Sequence, residues 1–266
     1  MKYILFIVIS LLLHNVSLAQ DFDYQTDFDR LVTESKAADS LYNYEKLKAE
    51  FIANGEDFTE EQVVALVIGQ FTSESYYSTQ GLDLERQFRS FQRPDGIPLE
   101  HIYVNIQSML EIPLADPFSE YYVQKAYEKG DDRIIKDLLE LNPVNLSLNY
   151  GLWKIYEEKK DFINAKRFKS RFELISKALL STGKGTLERP YFVMTSIDAD
   201  VIIKYYYNHQ IGEKDFLMNS NDQVIEIVER LDGDKSVPMH FITDHSWILY
   251  DKLIEEGKKY IDRNAK

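Results

Sequence analysis

From Asn142 to Leu180 the chain reads NPVNLSLNYGLWKIYEEKKDFINAKRFKSRFELISKALL, and no other stretch constrains the fold as tightly. Pro143 cannot continue a helix, so a new element is expected just after it. Leu148, Leu152, Ile155 and Tyr156 recur at spacings of three and four, the period of a helix with one buried face. A polar break, Glu157 to Asp161, separates them from a second set: Phe162, Ala165, Phe168, Phe172, Ile175 and Leu179. Two amphipathic helices joined by so short a turn must pack antiparallel, since neither buries its stripe alone.

Leu152, Tyr156 and Ala165 stand where a tetratricopeptide repeat (TPR) has its leucine, its tyrosine and its small second-helix residue, so the hairpin resembles one such unit. Asn149 occupies the tryptophan position of that pattern. Upstream, Tyr122, Val123, Ala126 and Tyr127, then Ile134, Ile135, Leu138 and Leu141, read as a shorter pair around Gly130-Asp131. Tyr127 precedes Tyr156 by 29 positions against a period of about 34, which fits an irregular, TPR-like all-helical array.

Met1 to Gln20 has the form of a targeting segment: Lys2, the apolar run Tyr3 to Leu13, and Ser17-Leu18-Ala19 as a small-x-small cleavage site. The run is too short for a membrane span, so a retained anchor is the weaker reading. The expectation is a periplasmic or secreted protein cleaved near Ala19. The chain has no cysteine, which removes disulfides and lipid attachment through a lipobox and leaves the apolar core to hold the fold. Without the first 19 of 266 residues, 247 remain, and losing Lys2 takes the net charge from −13 to −14. Such a surface repels phosphate backbones and anionic head groups, so neither nucleic-acid binding nor membrane insertion after cleavage is expected.

Asp21 to Ser35 opens acidic and passes into Phe28, Leu31 and Val32, a first helix with carboxylates at its positive end. A calcium loop is the poorer reading of Asp21, Asp23, Asp27 and Asp29, because the glycine and terminal glutamate it needs are misplaced. Leu41, Tyr44, Leu47 and Phe51 make a second helical face, stopped at Asn54-Gly55, where a positive φ is expected. Thr59-Glu60-Glu61-Gln62 has the form of a capping box leading into Val63, Leu66, Val67 and Phe71. The polar loop that follows carries Tyr76 and Tyr77, either packed back onto the helices or offered to a partner. Helical stripes follow at Leu82 to Phe91 and at Leu99, Ile102, Ile106, Met109 and Leu110, with His101 one place off the second.

At Ser181 to Pro190, STGKGTLERP, the character changes, and the glycines and proline mark a boundary. A phosphate-binding loop is excluded because Ala178 and Gly185 stand where that motif needs glycine and a hydroxyl residue. Beyond it, Tyr191 to Ser196 reads as a strand, and Asp198 as the cap of a short helix over Val201 to Tyr207. Phe216 to Met218, Val224 to Leu231 and Val237 to Ile242 read as strands, the last two meeting across Asp232-Gly233-Asp234. A closing helix carries Trp247, Leu249, Tyr250, Leu253 and Ile254. The expected organisation is α+β: a signal peptide at 1–19, a TPR-like helical domain at 20–182, and at 183–266 a small module of mostly antiparallel strands with helices.

IGQFTSESYYSTQ, the central hairpin, and Gly183, Gly185 and Thr186 leading through PYFVMTSIDADV occur in an order that resembles a secreted bacterial family known as domain of unknown function 4919. The resemblance covers nearly the whole chain after the targeting segment. It implies export in Gram-negative bacteria and carries no catalytic residue.

Chemistry-bearing constellations are sparse. His240 and His245, with Asp244, form the one cluster to weigh as a metal site, but 240 and 245 fall on opposite faces of a strand. No nucleophile elbow is present, and Glu60-Glu61, Glu157-Glu158 and Glu255-Glu256 read as solvated charge. Tyr205-Tyr206-Tyr207 could line a sugar platform, although three consecutive helical residues point in different directions. The leading expectation is therefore a non-enzymatic module that binds a protein or peptide, with Tyr76 and Tyr77 as contact residues and no catalytic residue, metal or cofactor. The alternative is a hydrolase or carbohydrate-binding protein using Asp198, Asp200 and His240 of the C-terminal module.

Overall fold

A computed structural model of the protein describes residues 22–71, 73, 132–243 and 245. The targeting segment, the loop with Tyr76 and Tyr77, the stripes expected at 82–91 and 99–110, His101, the Tyr122 to Tyr127 half of the earlier pair and the closing helix from Trp247 lie outside those residues.

The first described helices are α1 (Tyr24–Lys36), α2 (Tyr44–Asn54) and α3 (Glu60–Phe71). Short polar side chains start them. Asp23 accepts from the Thr26 N–H at 3.1 Å, and Asn43 from Lys46 at 3.2 Å. Thr59 and Gln62 exchange the two bonds of a capping box. Leu31, Leu47, Phe51 and Leu66 are almost wholly buried. Leu41 departs from its expected place: it sits in the turn before α2 and is 87% exposed. Gly55 departs as well, because α2 runs on into a tight 3-10 turn, Gly55–Asp57, with φ of −60° at Gly55. Glycine is wanted there for space, since a Cβ would lie 3.0 Å from the Phe51 ring.

After α4 (Arg133–Leu141) comes the expected hairpin, α5 (Leu146–Glu158) and α6 (Phe162–Ser181). Asn145 caps α5 and Asp161 caps α6. The turn between them closes with Asp161 N–H on Tyr156 O and Lys160 N–H on Glu157 O, a Schellman pattern that puts Lys160 at φ 59°. Leu152, Tyr156 and Ala165 are all buried in one cluster with Ile135, Leu139, Leu148, Ile155 and Phe168. Asn149, wholly buried, donates to Pro143 O and Asn145 O and so ties the preceding turn to the helix. Phe162 is not part of the buried stripe: it is 68% exposed.

The remaining chain forms a mixed four-stranded sheet of order β1-β4-β3-β2, from β1 (Tyr191–Phe192), β2 (Gln210–Met218), β3 (Val224–Asp232) and β4 (Lys235–Ile242). β1 joins β4 in parallel and the other pairings are antiparallel. Gly233, at φ 59°, opens the two-residue turn from β3 to β4. The first strand is shorter than expected because Thr195 already caps α7 (Ser196–Val201). Asp198 is therefore not the cap. It is the third helical residue, and its carboxylate reaches back to the Thr195 N–H at 3.0 Å. α7 continues as one π-helical turn, Ile202–Tyr206.

The largest apolar cluster runs across the Ser181 to Pro190 segment. Phe51, Leu66, Phe172, Ile175 and Leu179 from the helices join Phe192, Ile202, Ile225, Phe241 and Ile242 from the other side. α6, about 30 Å long at 1.5 Å per residue, places Ala165 and Phe168 in the smaller cluster and Phe172 to Leu179 in the larger.

Candidate functional site

The segment Ser181 to Pro190 folds back on itself and is pinned to the sheet. Lys184 N–H donates to Arg189 O at 2.8 Å, and the Thr182 hydroxyl accepts from the Phe192 N–H at 2.8 Å. The carbonyl of Gly185 receives the His240 main-chain N–H at 3.1 Å and lies 3.1 Å from the His240 Nδ1. A carbonyl only accepts, so Nδ1 carries the proton. A Cβ at residue 183 would lie 2.2 Å from Pro190 O, and one at residue 185, where φ is 68°, would lie 2.4 Å from the Tyr191 ring. Gly183 thus allows a close crossing of main chain, and Gly185 leaves room for the Tyr191 ring.

The polar residues of the alternative reading do separate jobs. Asp198 closes the α7 capping box and His240 holds Gly185. Asp200 pairs with the Lys214 ammonium at 2.5 Å, and the same ammonium lies 3.4 Å from Oε1 of Glu226, whose side chain is fully buried. This acid–base–acid row fastens α7 to β2 and β3. Among the described residues no group of three or more histidines and carboxylates converges on a common point. His245, 1% exposed, has Nε2 3.1 Å from Met194 O and Nδ1 3.3 Å from the Tyr24 hydroxyl, with the Phe28 and Phe192 rings beside it. Nε2 faces a carbonyl and donates, while the Tyr24 hydroxyl can serve Nδ1 as donor or acceptor, so the desolvation of the ring decides its charge. Burial holds its pKa down, at about 4.

The outer face of the hairpin carries the aromatic side chains. Tyr205, from the π turn, stacks on Tyr150 of α5 at 4.0 Å between centroids and 16° between planes. Tyr150 meets Trp153 edge-on at 5.5 Å, and the ammonium groups of Lys154 and Lys169 lie 5.0 and 5.2 Å from the Trp153 ring. Burial, with Glu173 and Glu60 nearby, raises the Tyr206 pKa. Phe162 and Ile163, 68% and 84% exposed, stand at the start of α6, and 162, 166, 169 and 173 share one side of that helix. At the same end Tyr156 donates to Asp132 at 2.5 Å, and Lys136 closes on that carboxylate at 2.9 Å. Burial alone would raise the Asp132 pKa. The bonds from Tyr156 and Lys136 outweigh it and leave the group at about 2.

Sequence reading missed three features. Glu226 interrupts the β-branched run VIEIV at an inward position, the one visible sign of the buried ion row. Arg171 falls three residues after Phe168 on the buried side of α6, and its guanidinium donates to Phe51 O and Ile52 O, both at 2.8 Å. The Tyr150–Tyr205 stack joins residues too far apart in sequence for any spacing to reveal. Tyr76 and Tyr77 lie outside the described residues. Compared with protein-family models, with curated proteins and with solved structures, the chain has no match.

Proposed function

We propose that the protein is a non-enzymatic interaction module of the cell envelope, exported and cleaved near Ala19, whose helical hairpin receives a protein or peptide partner. The observation that carries this reading is the adjacent pair Phe162 and Ile163, large apolar side chains held in water at the head of α6. They adjoin the hairpin face that bears Trp153, Lys154 and Lys169. Contiguous exposed apolar surface of this kind marks contact sites on soluble proteins, whereas single exposed residues do not. The burial of Leu152, Tyr156 and Ala165 in one cluster supports TPR-like packing of α5 on α6. The resemblance to domain of unknown function 4919 supports the export.

Chemical cross-linking in intact envelopes tests the proposal, comparing the native chain with Phe162→Ser/Ile163→Ser. Both side chains are exposed, so the urea midpoint should not move, while recovery of cross-linked partner should fall about fivefold, the effect of losing roughly 1 kcal/mol of contact. Equal recovery from the two proteins would refute the assignment to this face.

A further inference from the structure

The interaction reading leaves the partner's chemistry open, and the charges around Phe162 and Ile163 narrow it. The chain as a whole carries a formal net charge of −13. From Lys154 to Lys169, across the tip of the hairpin, six cations meet three carboxylates, so the tip is basic on an acidic protein. Two of those carboxylates are already occupied. Glu157 pairs with Lys154, and Asp161 caps α6, its carboxylate taking the Asn164 N–H at 3.2 Å and the Asn164 side-chain amide at 2.7 Å. Glu158 is exposed. The carboxylates that neighbouring elements bring to the tip are taken up as well. Asp132 is held by Tyr156 and Lys136, with Lys159 3.8 Å away, and Glu56 and Glu173 lie 3.7 and 3.9 Å from Arg167 and Lys169.

Lys160 and Lys166 differ from the other cations. Both are exposed, and neither takes part in an ion pair among the described residues. Lys166 follows Phe162 by four residues and Ile163 by three, the spacings that bring side chains together on a helix, and Lys160 stands in the turn two residues before Phe162. A ligand seated on Phe162 and Ile163 therefore meets two ammonium groups that the fold does not neutralise. A purely apolar ligand would strip water from them without return, and a basic one would be repelled. We propose that the tip receives an acidic peptide segment bearing large apolar side chains, which cover Phe162 and Ile163 while its carboxylates meet Lys160 and Lys166. This rests on the interaction reading and adds the chemistry of its partner. An anionic bilayer or a second copy of this acidic chain offers the same sign of charge, but each is also repelled by the surface beyond the tip, whereas a short segment touches the tip alone.

The test is fluorescence anisotropy with the purified chain at low salt and three labelled synthetic peptides of equal length, built from glutamate and leucine, from lysine and leucine, and from glutamate and serine. The glutamate–leucine peptide should bind with a Kd about tenfold lower than either of the others. Lys160→Glu/Lys166→Glu should reverse the preference between the two leucine peptides, and Phe162→Ser/Ile163→Ser should erase the preference for leucine over serine. Lys36→Glu/Lys177→Glu changes two exposed lysines off the tip to the same net charge and should alter neither preference. Equal binding of the three peptides, no binding of the first, or an equal loss in that control would overturn the proposal. So would an unchanged charge preference in Lys160→Glu/Lys166→Glu, which would leave the interaction reading standing wherever Phe162→Ser/Ile163→Ser still loses its cross-linked partner. Cosedimentation with phosphatidylglycerol vesicles abolished by Phe162→Ser/Ile163→Ser would make a bilayer the occupant, a dimer lost in Lys160→Glu/Lys166→Glu would make it a second copy, and either would overturn the proposal too.

Discussion

Alanine at residues 183, 185 and 233, introduced singly, separates two reasons a chain can require glycine. Gly233 has φ of 59°, and nothing lies within 4 Å of the point a Cβ would occupy, so Gly233→Ala meets conformational strain alone. A left-handed alanine costs about 1–2 kcal/mol, and the stiffer unfolded chain returns ~0.4–1 kcal/mol, so the net loss is about 1 kcal/mol. Gly183→Ala meets the opposite case: its Cβ would fall 2.2 Å from the main-chain oxygen of Pro190, well inside contact distance. The carbonyl must move, and with it the start of β1 and the Thr182 to Phe192 bond. Overpacking of about 1–3 kcal/mol together with a weakened hydrogen bond gives a loss of about 2–4 kcal/mol. Gly185→Ala combines a φ of 68° with a 2.4 Å approach to the Tyr191 ring, which already packs on Phe241, and should lose at least as much.

Urea unfolding followed by far-ultraviolet circular dichroism measures the three losses at constant m, and thermal scans should show Tm falling roughly 2–4 °C per kcal/mol. The order of damage should be 233 well below 183, and 183 at or below 185. A Gly183→Ala protein as stable as Gly233→Ala would refute the close crossing, and with it the account of why Gly183 and Gly185 flank a single lysine.

Between pH 6.5 and about 4 the unfolded chain takes up a proton on His245 that the folded chain refuses, so His245 contributes a loss of stability as pH falls through that window. The difference is on the order of 3 kcal/mol, and His245→Gln should flatten that part of the profile in urea titrations run at stepped pH. Lys160→Gly should stabilise the protein by about 0.5–1 kcal/mol, because the Schellman turn holds Lys160 at φ 59°, and an unchanged urea midpoint would show the strain is absent. Lys214→Met leaves Glu226 buried without its ammonium and should cost about 3–5 kcal/mol, whereas adding Glu226→Gln should recover part of that. A double-mutant cycle showing no coupling would remove the ion row.

The helices were legible where one face faces one core. The stripes of α2 and α6 and the cap at Thr59 follow from spacing and side-chain chemistry alone, whereas α3 is buried on every side from Val63 to Gln70 and its stripe shows only part of that. Errors gathered where local chemistry outranked the stripe. Leu41 has helical spacing to Tyr44, but Asn43 is the residue whose side chain can cap, so the helix starts too late to include it. Asp198 can cap a helix, yet Thr195 three residues earlier makes the reciprocal pair, and the start moves with it. The strand expected to begin at Phe216 begins at Gln210 because pairing with β3, and not composition, sets its length.

The candidate surfaces were harder to read because they are assembled from residues that no period connects. A spacing argument can assign Phe162 to a stripe, but only the position of the turn decides that the first residue of α6 overhangs the core. Ser181 to Pro190 marks a change in local pattern, and local pattern says nothing of what packs across it. Phe172, Ile175 and Leu179 sit on the helical side of that segment with Phe192, Ile225 and Phe241 on the other, all in one apolar cluster. Separating the chain there would expose those six side chains, each worth about 1.5–3 kcal/mol when buried. The loop is short and glycine-bearing because it must turn α6 into β1 without lifting either from that shared core.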